Sequence, residues 1–166
     1  MRSIGLAFGI AALLGFTAAP RARAQPLPPE EDAEPWSDTS FVILRSSVSY
    51  RVAAETARAA ARDLGVKLDL RGLVPHRTLG LTFAREVCQE SGDFPCYWPR
   101  GSTEDGLYVS VEHTSAYEDF EGDLFIVVLA SGPRGSADIK TALRKARDRY
   151  PDVQVKSSRM YLGCGH

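Results

Sequence analysis

The sequence predicts an α+β fold, a two-layer sandwich of two helices on one sheet, with a β-rich insert between its halves. Two observations carry this expectation. A strand–helix–strand pattern occurs at residues 41–70 and returns at 124–162. In both copies the helix and its leading strand match in length: about 13 helical residues cover roughly 20 Å, as do about six strand residues. Right-handed crossovers in both halves give a split βαβ, ferredoxin-like sheet with both helices on one face.

The chain opens with Arg2, an uncharged apolar stretch from Ile4 to Phe16, Pro20, and Ala22-Arg23-Ala24 directly before Gln25. A basic start, a short apolar core and small residues at −3 and −1 read as a secretory signal peptide, residues 1–24, cleaved after Ala24. The competing reading is an uncleaved anchor. Against it, Gly5, Gly9 and Gly15 interrupt the apolar run, and its strongly apolar part is shorter than the roughly 20 residues a spanning helix needs. The expected location is therefore periplasmic or secreted, with no membrane span in the mature chain.

Residues 25–39 hold Pro26, Pro28, Pro29 and Pro35 with Glu30, Glu31, Asp32, Glu34 and Asp38. This composition cannot bury a core, and a disordered acidic leader is expected. The full chain has 20 basic and 21 acidic residues. Removing the signal takes away three arginines and leaves about −4, and the leader's five acids account for all of that excess. The remainder, residues 40–166, reads as a single near-neutral domain. A near-neutral domain argues against nucleic acid as a partner, because phosphate binding needs a basic patch.

Phe41-Val42-Ile43-Leu44 is a continuous apolar run and predicts a strand buried on both faces. Ser46, Ser47 and Ser49 are each able to cap the next helix. From Arg51 to Leu64 the stripe Ala53, Ala57, Ala60, Leu64 has helical spacing, and Gly65 is placed to end it. Val66, Leu68 and Leu70 then alternate with Lys67 and Asp69 as a half-buried strand. In the second copy, Leu124 to Ala130 is the buried strand and Gly132, Pro133 and Gly135 break it. Ser136 caps a helix with Ile139, Ala142, Leu143, Ala146 and Tyr150 on one face, stopped by Pro151. Val153 and Val155 open the last strand.

The insert, residues 71–123, is too long for a plain connection. Leu79, Leu81 and Phe83 alternate as a strand. Leu107, Val109 and Val111 alternate against Tyr108, Ser110 and Glu112. Tyr97-Trp98 and Leu107-Tyr108 flank a loop ending Asp105-Gly106, which reads as a hairpin. The insert is expected to extend the sheet or fold over its rim.

In an oxidising compartment Cys88 and Cys96 are the natural disulfide pair, while the alternative pairings with Cys164 stay open. Cys164 is then left over as a buried thiol, an intermolecular bridge or the true partner of one of the others. No catalytic residue is assigned: nothing in the spacing shows a base and an orienting group around Cys164, His113 or His166. No histidine or cysteine pair has metal-ligand spacing, and no cofactor is called for. The candidate ligand-binding residues are Tyr97, Trp98, Arg100, Tyr108 and Tyr117, with Phe120 nearby. Flat aromatic faces stack on sugars or anchor a protein interface, or they cap a second core under the insert.

The segments Phe41–Leu70 and Leu124–Leu162 resemble the two halves of a SPOR (sporulation-related repeat) domain. Each has an apolar opening strand, serines, an amphipathic helix and an alternating strand. The resemblance implies a βαββαβ fold, a bacterial periplasmic location and non-catalytic binding of peptidoglycan glycan strands stripped of stem peptides. Where that family carries a glutamine and then a glycine near an aromatic, this chain has Leu44-Arg45-Ser46-Ser47. The expected function is a non-catalytic module binding cell-wall glycan. The alternative is an envelope protein-interaction or inhibitor domain using the aromatic insert. An enzyme of unrecognised type is third.

Overall fold

Apolar at four successive positions, Phe41–Leu44 forms the centre of strand β1 (Trp36–Ser47) and is buried on both faces. The computed structural model describes residues 36–102 and 105–162. The signal segment 1–24, the leader up to Pro35, Cys164 and His166 lie outside the described residues. The described residues belong to the unit Asp32–His166. Among them no helix is long and apolar enough to cross a membrane.

Helix α1 (Tyr50–Leu64) follows β1 and ends at Gly65, whose φ of 59° is the left-handed value a glycine adopts without strain. Its buried stripe is Ala53, Ala57, Ala60 and Leu64, widened by Ala54 and Ala61. The insert contributes β2 (Val74–His76), β3 (Gly80–Thr82), α2 (Arg85–Ser91), β4 (Gly106–His113) and a 3-10 turn at Thr114–Ala116. Then come β5 (Phe125–Pro133), α3 (Ala137–Ala146) and β6 (Gln154–Tyr161). Ser136 caps α3 through its side chain, which accepts a hydrogen bond from the Ile139 amide at 3.4 Å. The main sheet has the order β4-β5-β1-β6 with every neighbour antiparallel, and β2 and β3 form a separate two-stranded sheet. The architecture is α+β.

Alternation along the strands divides the interior into two cores. Val42, Leu44, Val109, Val111, Val127 and Leu129 face α1 and α3. Phe41, Ile43, Ile126, Val128 and Met160 point the other way, where Tyr117 and Phe120 of the insert cover them. Phe41 meets Tyr117 and Phe120 edge-on, with centroids 5.0 and 5.7 Å away. The insert thus covers the sheet face opposite the helices.

Three expectations are corrected. Residues 36–39, expected in the leader, are strand: β1 pairs with β6 from Trp36↔Tyr161 onward, and Thr39 is already buried. The Tyr97-Trp98/Leu107-Tyr108 hairpin does not form. Val109 and Val111 belong to the core under α1, so β4 pairs along β5 instead, while Tyr97 and Trp98 are irregular. Val66–Leu70 is not a regular strand. It makes one parallel bridge, Leu68↔Val109, supported by Asp69 N–H to Val109 O and Val109 N–H to Lys67 O, both 2.8 Å. The place beside β5 is taken by β4, which leaves this segment at the outer edge.

Cys88 and Cys96 form a disulfide with Cα atoms 5.5 Å apart. It ties α2 to the segment leading into Trp98, and the Thr82 hydroxyl donates to the Cys96 carbonyl at 3.0 Å. Closing so small a loop is worth about 2.5 kcal/mol on the chain-entropy account. Replacing both cysteines with serine is expected to lower the unfolding free energy by about that amount in urea titrations.

Candidate functional site

The five candidate residues come together on the insert side of the sheet, but they do different work. Arg100 is fully buried. β4 and β5 slip register between Leu107 and Ser110, and the guanidinium fills that irregularity. It donates to the carbonyls of Gly106, Tyr108 and Val128 at 2.6, 2.8 and 3.4 Å. It also donates to Ser110 Oγ and Ser131 Oγ at 3.1 and 2.9 Å. Its Cζ lies 3.5 Å from the Tyr108 ring centroid. Burial pulls its pKa below the usual value. Arg100 therefore serves the fold rather than a surface ligand.

Beside it sits a buried carboxylate. Glu112 Oε2 accepts from Arg71 Nη1 at 3.0 Å, Tyr97 Oη at 2.9 Å and the Arg100 backbone amide at 3.2 Å. Both partners of the Arg71–Glu112 ion pair are almost wholly buried. Arg71 reaches it from a left-handed backbone, φ 58°, in a tight turn closed by Leu73 N–H to Leu70 O. Its other terminal nitrogen donates to the Trp98 carbonyl at 3.0 Å. Tyr117 is also buried, and its hydroxyl donates to the Arg100 carbonyl at 3.2 Å. Burial, reinforced by the nearby Glu112 charge, raises the pKa of both Tyr97 and Tyr117 well above the usual phenol value.

Trp98 is the most exposed of the five, while Tyr97 and Tyr108 are half-buried. Trp98 is 37% exposed, packs on Phe83 at 5.1 Å, and lines a groove of about 270 Å³. Two residues not singled out in the sequence complete the aromatic lining. Trp36 and Tyr161 are paired across β1 and β6, their rings 5.1 Å apart, and are 38% and 45% exposed. Ser102, Glu118 and Arg159 place polar groups around the same groove, with the Arg159 guanidinium 5.4 Å from the Trp36 ring. Trp36 was legible only as part of a proline-rich leader, and nothing local announced that Tyr161 would face it.

His113, the last residue of β4, lies against β3. Gly80 crosses the histidine so closely that a Cβ there would overlap the imidazole. Its Nδ1 is hydrogen-bonded to Ser115 Oγ at 2.8 Å, and Nε2 lies 3.3 Å from Asp123 Oδ1. Among the described residues no group of three His, Cys, Asp or Glu side chains is placed to hold a metal ion. No protein-family model, curated protein or solved structure matches this chain.

Removing the Glu112 charge leaves the buried Arg71 guanidinium without its carboxylate. Glu112→Gln is expected to cost about 3–5 kcal/mol in chemical denaturation. Burial also holds His113 below its ordinary pKa of 6.5, with Asp123 opposing. The unfolded chain therefore takes up this proton first as pH falls. The site's contribution to stability is full above pH 6.5 and is lost below it, towards the lower pKa of the folded state. Urea titrations across that window should show falling stability, with a shallower slope in His113→Asn.

Proposed function

We propose that the chain is an exported, non-catalytic binding module that holds a glycan strand of the cell wall in the groove of Trp36, Trp98 and Tyr161. One observation carries this reading: three half-exposed aromatic rings from distant parts of the chain line one groove. Aromatic faces offer flat apolar area for the C–H faces of sugar rings. Ser102, Glu118 and Arg159 supply the few polar groups that orient such a ligand. The Cys88–Cys96 disulfide is compatible with an oxidising compartment.

The SPOR-like, split βαβ reading has partial topological support. Helix α3 links the parallel strands β5 and β6 with β1 between them, and α1 links β1 to the parallel segment 66–70. The departure is β4, which the insert places between β5 and that segment. The site proposed here uses the insert and the paired ends of β1 and β6 at Trp36 and Tyr161, so it takes no binding residue from the family.

Co-sedimentation with purified sacculi tests the reading, before and after amidase removal of stem peptides. The wild type is expected to pellet, more strongly with stripped strands. Trp98→Ala should weaken binding about tenfold, the loss typical of an aromatic anchor. No pelleting in either condition overturns the glycan ligand. Capture of a defined envelope protein through the same Trp98 would favour the protein-interaction alternative.

A further inference from the structure

A second cavity, of about 560 Å³, lies at the other end of β6. It exists because β6 is shorter than β1. The two pair from Trp36↔Tyr161 to Ile43↔Gln154 and no further. The chain enters β6 through a turn, with Val153 N–H bonded to Tyr150 O at 3.0 Å, so β6 cannot extend backwards. On its other edge β1 continues, with Arg45, Ser46 and Ser47 opposite Val127, Ile126 and Phe125 of β5. The β6-side edge of Leu44–Ser47 has no strand partner among the described residues. The register irregularity on either side of Ile43 falls at this place, and bulges of this kind often lie beside binding sites.

The walls of the notch are polar. Arg45, Ser46, Thr56, Arg149, Tyr150 and Gln154 line it. Neither Arg45 nor Arg149 has an acidic partner among the described residues. Asp152 on the same wall supplies one negative charge against these two positive ones.

The geometry points to a binding site for the C-terminal end of an extended peptide, added as a short strand on β1. Three features select this occupant. An unpaired strand edge offers main-chain hydrogen bonds to an extended backbone. Four residues of free edge, about 13 Å, accept a short segment, and Gln154 blocks its continuation, so the occupant must end there. A strand running antiparallel to β1, as β6 does, brings its C-terminus to that end. Its carboxylate then meets Arg149 and Gln154, with Arg45 adding to the positive lining. A charge-assisted Arg–carboxylate contact favours this polarity over the reverse one. The inference is independent of the aromatic groove.

Amide chemical-shift perturbation on the full mature protein tests it. The probe is the tripeptide acetyl-Val-Ser-Val with a free carboxylate, added to millimolar concentration. The amides of Leu44–Ser47 are expected to shift. The C-terminally amidated probe should bind about tenfold more weakly, as should the free acid on the Arg45→Ala/Arg149→Ala variant. Both arginines are exposed, and the spectrum itself reports whether the variant is folded. A backbone N-methylated probe should lose the Leu44–Ser47 shifts. No shift with the free acid overturns the inference, and so does equal binding of acid and amide. Equal binding of the N-methylated probe would mark the notch as a plain anion site and overturn strand addition.

Discussion

The insert is held to the sheet by the Glu112 carboxylate. One oxygen gathers the Arg71 guanidinium, the Tyr97 hydroxyl and the Arg100 amide, and so joins two separated stretches of chain, at Arg71 and at Tyr97–Arg100, to β4. The two side-chain contacts come from 41 and 15 residues away. An isolated carboxylate at this depth would be costly, and a nearby cation together with hydrogen bonds is what makes it tolerable. Arg100 is satisfied differently. Three carbonyls and two hydroxyls absorb its donors, so the single carboxylate does not have to neutralise both arginines by direct contact.

This arrangement explains why Trp98 stands where it does. Arg71 donates to Glu112 with one nitrogen and to the Trp98 carbonyl with the other. The disulfide at Cys96 restrains the same segment two residues earlier. The exposed indole thus rests on a fixed backbone, and a pre-positioned ring loses less conformational freedom when a ligand arrives.

The two outer thirds of the fold were legible because their signals are local. Phe41–Leu44 is apolar without a break, the alanine stripe of α1 has helical spacing, and Ser136 stands at a cap position. The insert was opaque because its determinants are distant. Ser110 and Glu112 alternate with valines as though they faced water, yet both are fully buried. What makes that possible, Arg71 and Arg100, lies 41 and 10 residues away. Arg100 and Tyr117 carried the composition of a binding surface and became interior, and Tyr97 is half-buried beside them. The groove was legible at Trp98 alone, because Trp36 and Tyr161 meet only through a strand pairing that spans the domain.

Strand β6 pairs with β1 and lies at the edge of the sheet. Its eight residues separate the aromatic groove at Tyr161 from the notch at Gln154. At about 3.3 Å per residue the strand acts as a ruler of roughly 23 Å between the two. The ruler also has a phase. Ser158 and Met160 point inward while Arg159 and Tyr161 do not, and a strand that slips by one residue exchanges its faces. Insertion or deletion of a single residue in β6 would therefore reach both ends of the domain at once. Tyr161 would lose its place opposite Trp36, and the bare edge of β1 would lengthen or close.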